Sequence, residues 1–265
     1  MQLLAPKAVG TSLHDMVEEI RKSLLEECDF VKEAENIKEY QRFLTQVGSQ
    51  FVLVPKVYDG FTTKKIIVME RFFGVSLSDV AGVKKRTEHP DIAVINALNT
   101  WLASLLQCQI YHADLHAGNV MVLEDGRVGF IDFGIVGRIS PLTWTSFTGL
   151  LTALMNSDYK MVAHTMVGIG ATEQKVDEEK FAQDIEAFWV NLNETMHSNT
   201  DADPDRLIEQ MLLSLVQVCK RYGVKFPREF TLLLKQLLYF DRYIHLLAPK
   251  LDMFHDERIA LTSLR

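Results

Sequence analysis

The sequence predicts an α+β fold in two parts: residues 1–72, with a long helix and two strands, and residues 73–265, mostly helical around a short hairpin. Three observations predict it. Apolar residues recur at helical spacing through most of the chain after Ser140. Two short apolar runs, Val120 to Leu123 and Val128 to Ile131, flank Glu124-Asp125-Gly126-Arg127, and Asp-Gly between such runs is a strong hairpin signal. Strand-like segments upstream give way to helical ones near Phe72–Gly74, which sets the boundary.

Each element follows from local pattern. Residues 12–47 read as one long helix or two joined ones, capped by Thr11 or Ser12, with Met16, Ile20, Leu24 and Ile37 near helical spacing. Phe51 to Tyr58 is a strand candidate interrupted by Pro55. Lys65 to Arg71, reading KIIVMER, is a stronger one because it holds adjacent β-branched residues. Gly74 breaks that pattern, and Ser76 to Val80 suggests a short helix. Residues 91–110 form an apolar-periodic helix through Ile92, Ile95, Leu98, Leu102, Leu105 and Leu106. Helices follow over 140–156, 158–168, 177–196, 204–222 and 228–247. The last is unusually apolar. A core helix apolar all round is the first reading of it, and a face for a lipid or quinone-like ligand is the second.

Composition narrows the function. Of 265 residues, 48% are hydrophobic, enough for a large core. The net charge of −7, from 28 basic and 35 acidic residues, repels a polyanion and sets nucleic acid aside as a partner. Cys28, Cys108 and Cys219 lie far apart, with no CxxC pair and no Cys/His metal spacing, so free thiols in a reducing compartment are the simplest reading. Met1-Gln2-Leu3-Leu4-Ala5-Pro6 lacks the basic leader and apolar run of a signal peptide. No stretch reaches the roughly 18 uncharged apolar residues of a membrane span.

The chemistry is concentrated around the hairpin. His112-Ala113-Asp114 precedes Asn119, five residues after Asp114, and Asp132-Phe133-Gly134 begins thirteen residues after Asn119. Protein kinases show H-x-D-x-x-x-x-N and then D-F-G across a short hairpin, and residue type, order and spacing all match. Each residue alone is ordinary, since Asp and Asn commonly cap helices and close turns. Together they suit phosphoryl transfer, which needs positioning and charge neutralisation more than covalent work. Magnesium takes oxygen ligands, so Asp132 and Asn119 are the candidate metal ligands. Asp114 is placed to accept a hydroxyl proton or to orient the nucleophile. Gly134 is expected to let the chain turn sharply after the metal ligand. His112 reads as a prop beneath the loop. His116 has two readings, hydrogen-bonding a phosphate or capping the turn.

Wider motifs add a resemblance. Glu27-Cys28-Asp29-Phe30-Val31-Lys32-Glu33-Ala34-Glu35-Asn36 is similar to the E-x-D-[FY]-x-x-E-A-x-N signature of the UbiB (AarF-type) family of atypical kinases. Val54-Pro55-Lys56-Val57-Tyr58, Val68-Met69-Glu70-Arg71, Gly74-Val75-Ser76-Leu77, the HADLHAGN loop, Asp132 to Arg138 and Phe226-Pro227-Arg228-Glu229 resemble that family in order, from about residue 10 to 255. The resemblance implies a protein-kinase-like fold with a partial N-lobe and a mostly helical C-lobe. It implies ATP and Mg2+ as cofactors, and ATP-dependent kinase or ATPase chemistry in isoprenoid-quinone (ubiquinone) or other lipid metabolism. It also implies a membrane-associated protein of a bacterium, mitochondrion or plastid. By the same resemblance Glu33 pairs with a strand lysine at the ATP phosphates. Glu27 and Asp29 are the family's E-x-D pair, facing an N-terminal extension, and Glu70 and Arg71 lie where a kinase hinge offers backbone groups to adenine.

The family's K-x-G-Q extension, alanine-rich nucleotide loop and V-A-x-K strand have no match here, and Lys7 is no substitute. The expectation is an N-terminally truncated chain, with an unpaired strand edge at residues 65–70 through which copies could associate. Two other readings stand beside this one: a small-molecule kinase of the aminoglycoside or choline type, and a non-catalytic pseudokinase-like fragment.

Overall fold

A computed structural model describes residues 29–108, 110–172, 175–198 and 204–260. Glu27, Cys28 and the proposed caps Thr11 and Ser12 lie outside the described residues. Helix α1 spans Phe30–Gln46. Asp29 caps it, its Oδ1 accepting from Lys32 N at 3.3 Å. Ala34, Ile37, Tyr40, Phe43 and Leu44 form its buried stripe at i, i+3, i+4 spacing.

The central sheet has strand order β1-β5-β4-β2. Its strands are β1 (Val52–Leu53), β2 (Gly74–Ser76), β4 (Val120–Leu123) and β5 (Val128–Phe130). β1 runs parallel to β5, with Val52 opposite Val128. β4 and β5 form the antiparallel hairpin expected from Asp125-Gly126. Gly126 N donates to Leu123 O at 3.0 Å. Gly126 itself sits at φ +82°, a left-handed position that suits glycine. β2 pairs with β4, Gly74 opposite Leu123. A Cβ on Gly74 would come within 2.5 Å of Val122 O, so the close backbone approach requires glycine. The 72–73 division runs through this sheet, because β1 precedes it and the other three strands follow it.

Three expected elements differ. Phe51 to Tyr58 keeps ladder pairing only at Val52–Leu53. Pro55 has no N–H to donate, so regular pairing stops before it. Lys65 to Arg71 is not a strand. It returns against residues 56–63 through isolated bridges, Val57 to Met69 and Thr63 to Ile66. The bonds Tyr58 N to Val68 O and Glu70 N to Lys56 O, both 2.8 Å, complete this irregular hairpin. β propensity alone did not make a strand without a continuous partner on either side. Finally, Ser76 ends β2 rather than opening a helix. Helix α2 begins at Val80 and runs to Arg86, capped by Asp79.

The rest is helical, close to the expected limits. α3 (Pro90–Gln107) buries Ile95, Leu98, Trp101, Leu102 and Leu105, whereas Ile92 and Leu106 are exposed. Short strands β3 (Tyr111–His112) and β6 (Val136–Gly137) pair antiparallel after it. Then come α4 (Pro141–Met155), α5 (Tyr159–Ile169), α6 (Glu178–Ser198), α7 (Pro204–Arg221) and α8 (Arg228–Leu247). A two-stranded ribbon of β7 (Ala171–Thr172) and β8 (Val224–Lys225) joins them. Ser140 caps α4 and Asp158 caps α5. α4 to α8 pack in sequence, and α8 also packs on α3. Leu233, Leu234, Leu237, Leu238, Phe240, Ile244 and Leu247 of α8 all enter the core, in agreement with the core reading of that helix. Among the described residues no helix is long and apolar enough to cross a membrane. Cys219 is buried, and burial pushes its thiol up to about 12.

Candidate functional site

Two polar loops carry the candidate residues, and the fold ties both at each end. At one end the β4–β5 ladder sets Val120 opposite Phe130, and Ile131 N donates to Asn119 O at 3.0 Å. Asn119 therefore begins one strand where Asp132 leaves the other. At the far end β3 pairs with β6, and Ala113 N donates to Ile135 O at 3.2 Å. A Cβ on Gly137 would run into the Tyr111 ring, so only glycine lets these strands close. Backbone bonds at both ends thus fix the loop holding Asp114 relative to the turn holding Asp132.

His112 is fully buried beneath the loop. Its Nδ1 accepts from Asp114 N at 3.1 Å, which leaves the proton on Nε2 to donate to Ile131 O at 3.0 Å. Burial holds this imidazole below its ordinary pKa, so it stays neutral and bridges the two loops as a prop. Phe133 packs on it at 4.6 Å and on Tyr40 at 5.1 Å. That aromatic stack connects the D-F-G turn to α1.

The sharp turn comes from an unexpected residue. Asp132 itself takes a left-handed φ of +62°. A non-glycine residue there is uncommon, Asp is among the types that tolerate it, and such positions gather at functional sites. Gly134 is not left-handed. Its N donates to Asp132 Oδ1 at 3.3 Å, and a Cβ would sit 3.2 Å from that oxygen. Glycine here gives the Asp132 carboxylate room rather than making the turn.

A cleft of about 430 Å3 gathers Glu33, Asp114, Asn119 and Asp132, with Phe30, Ile67 and Met69 on its apolar side. Glu33 is buried against Asp132. Burial first, and the Asp132 charge second, raise its carboxyl pKa, while the Phe133 backbone pulls the other way. Among the described residues no lysine pairs with it. Its neighbour in the E-A-x-N motif, Asn36, donates to Phe133 O at 2.9 Å. One helical turn therefore reads the D-F-G segment with two side chains.

Asn119 Nδ2 donates to Asp114 O at 2.9 Å, which leaves Oδ1 as the amide atom for a cation. Among the described residues no group of three or more His, Cys, Asp or Glu side chains is arranged to hold a metal by itself. Mg2+ needs only one or two protein oxygens and completes its shell with water and phosphate. Asp132 and Asn119 both line the cleft and would be the two protein oxygen donors for such an ion.

The remaining candidates fall at the margins. His116 Nδ1 accepts from Gly118 N at 3.0 Å, so it caps the turn, and its Nε2 lies 3.7 Å from Asp114 Oδ2. Asp29 is the α1 cap. Glu70 and Arg71 are exposed. The Glu70 carboxylate accepts from Lys56 N at 3.2 Å, and Arg71 stacks over Phe73 at 5.1 Å. Neither side chain lines the cleft, although their neighbour Met69 does.

Sequence reasoning missed three residues of α8. Gln236, fully buried, accepts from Leu115 N at 2.7 Å and donates to Ala113 O at 2.7 Å. Tyr243 OH donates to Leu115 O at 2.9 Å. Lys235 Nζ lies 2.7 Å from Asp114 Oδ1. The available signal was Lys235-Gln236 interrupting a leucine-rich helix, since buried polar groups need partners. The G-V-S-L and P-R-E motifs also gain physical roles. Ser76 Oγ donates to Ala117 O at 2.5 Å, Tyr111 OH donates to Glu229 O at 3.1 Å, and the Glu229 carboxylate accepts from Thr143 at the start of α4.

Residues 1–166 match the family described as ABC1 atypical kinase-like domain. A chloroplastic aarF domain-containing protein kinase of Arabidopsis thaliana, itself uncharacterised, is 42% identical over 99% of this chain and 52% of its own length. A probable protein kinase UbiB of Histophilus somni is 28% identical over 91% of this chain and 43% of its own length. The chain thus spans about half the length of the curated relatives it matches. A Mycobacterium tuberculosis protein solved in complex with erythromycin superposes with a TM-score of 0.58 at 20% identity, covering 91% of this chain and 60% of that one. That likeness supports the kinase-like fold.

Proposed function

Because the chain belongs to the ABC1 atypical kinase-like family, we propose that its cleft binds Mg-ATP and promotes phosphoryl transfer to a hydroxyl or to water. The observation that carries this reading is the gathering of Asp114, Asn119, Asp132 and Glu33 into one cleft by two tied loops. A bound magnesium ion would neutralise phosphate charge. Asp132 and Asn119 would hold it, and Glu33 would order the adjacent charge. Asp114 would orient the attacking hydroxyl and take its proton. Met69 and Ile67 would face the base. Through the resemblance to the UbiB family we attach this chemistry to isoprenoid-quinone or other lipid metabolism.

The test is a titration of Mg-ATP with a turnover assay. Asp132→Asn removes the main anionic ligand and should abolish Mg-dependent nucleotide binding, with Asn119→Ala weakening it less. Asp114→Asn should leave affinity nearly intact and cut turnover about 100-fold or more. Unchanged affinity in Asp132→Asn would sink the metal assignment. A second reading, nucleotide binding without transfer, has one observation in its favour: Glu33 lacks a lysine among the described residues. Tight Mg-ATP binding with turnover insensitive to Asp114→Asn would select it.

A further inference from the structure

The α8 helix reaches the candidate catalytic loop with one charged side chain. Lys235 Nζ lies 2.7 Å from Asp114 Oδ1, across 121 residues of sequence. The pair is partly buried, with Lys235 at 29% and Asp114 at 19% side-chain exposure. It therefore differs from an exposed surface pair, which contributes little. Lys235 is also held on its own helix, 5.6 Å over the Tyr239 ring one turn on. Gln236 and Tyr243 bond the loop backbone on both sides of Asp114, so the helix and the loop are tied at three points besides the ion pair.

We infer that Lys235 is a positioning residue for phosphoryl transfer. It clamps Asp114 Oδ1 and so leaves Oδ2 as the oxygen offered to the acceptor hydroxyl. The other neighbour of that carboxylate is His116, whose Nε2 stands 3.7 Å from Oδ2 and whose Nδ1 is engaged by the turn. Lys235 is then the fixed positive charge at this carboxylate, and it comes from a helix near the end of the chain rather than from the loop itself. The inference rests on the functional reading above, with Asp114 as the orienting group.

The experiment compares wild-type chain, Lys235→Met, Lys235→Arg, Asp114→Asn and the double variant Lys235→Met/Asp114→Asn. Mg-ATP affinity, kcat and Tm are measured for each. Lys235→Met should lose about 10–100-fold in kcat, the scale expected when a reacting group is misplaced by about 1 Å. Mg-ATP affinity should stay within about threefold, because the nucleotide's metal ligands are untouched. Lys235→Arg should recover part of the rate. In the Asp114→Asn background Lys235→Met should cost nothing further, since it acts through that carboxylate.

A second readout is independent of turnover. Trace acetylation followed by mass spectrometry should label Lys235 more slowly than Lys160, a surface lysine of α5 with 78% side-chain exposure, and Asp114→Asn should raise the Lys235 rate several-fold. Equal labelling in both proteins, wild-type kcat in Lys235→Met, or a further loss in the double variant would each overturn the proposal. Those results leave the functional reading standing. A wild-type chain that binds no Mg-ATP and shows no turnover would overturn that reading and the positioning role together.

Discussion

Gln236 is the place to test whether the helical part holds the candidate catalytic loop. The perturbation is Gln236→Leu, which keeps most of the side-chain volume and so avoids a large cavity. Gln236 is fully buried. The substitution removes two 2.7 Å bonds, one accepted from Leu115 N and one donated to Ala113 O. Its third bond, to Leu232 O within its own helix at 3.3 Å, matters less, because that carbonyl has a helical partner. Two loop backbone groups flanking Asp114, on the buried residues Ala113 and Leu115, are left without these partners. Each such orphan costs roughly 1–3 kcal/mol. Added leucine–core contact offsets part of that, so the expected net loss is about 2–4 kcal/mol. For a domain of this size each kcal/mol moves Tm by about 2–4 °C, so the expected fall is roughly 4–16 °C. Urea denaturation read by circular dichroism measures the free energy, with m expected to stay constant. Gln236→Glu is the companion. It keeps the acceptor for Leu115 N but loses the donor to Ala113 O and buries a charge, so it should be at least as damaging at neutral pH. If Gln236→Leu falls within about 0.5 kcal/mol of wild type, the level of an ordinary surface change, the two bonds do not hold the loop and the account of α8 is wrong.

Two further expectations follow from the cleft and the N-terminal hairpin. Glu33 has a pKa raised above its ordinary 4.5, by burial and then by Asp132, so its contribution to stability is fully present below 4.5 and is lost as pH rises through the raised folded value. Glu33→Gln should therefore be more stable than wild type at neutral pH without magnesium, with the gap closing as pH falls toward 4.5. A gap independent of pH in thermal melts would refute it. The irregular hairpin over residues 56–70 leaves Phe61 and Ile66 exposed, by 72% and 57%, with Phe73 exposed just beyond it, so the chain should self-associate in a concentration-dependent way. A version extended upstream to carry a lysine strand should be monomeric and bind Mg-ATP about 10–100-fold tighter, since one charge-assisted contact is worth roughly 1.5–3 kcal/mol. Equal affinity and equal oligomeric state by analytical ultracentrifugation would show that the described residues already complete the site.

The sequence by itself determined whatever depends on local chemistry. Apolar periodicity located α3 to α8, because helices satisfy their hydrogen bonds within the segment. Asp125-Gly126 located the hairpin turn, because only a few residues tolerate its backbone angles. The spacing from Asp114 to Asn119 and Asp132 identified the candidate site, since two loops tied by one hairpin must keep that spacing for their polar side chains to line one cleft. The resemblance to the UbiB family was legible for the same reason, and the family match agrees with it.

Tertiary structure alone decided what depends on partners distant in sequence. KIIVMER has the composition of a strand, yet a strand needs a neighbour, and none runs alongside it continuously. The turn at Asp132 falls on the aspartate rather than on Gly134, because the surrounding bonds from His112, Asn36 and Ile131 impose the backbone there. The resemblance singles out Glu33 in the sequence as the partner of a strand lysine, not as a neighbour of Asp132. Only packing sets it beside Asp132 and raises its pKa. Lys235, Gln236 and Tyr243 reach residues 113–115 from more than a hundred positions away. No local pattern encodes such contacts, because a side chain that bonds to another segment's backbone leaves no periodicity of its own.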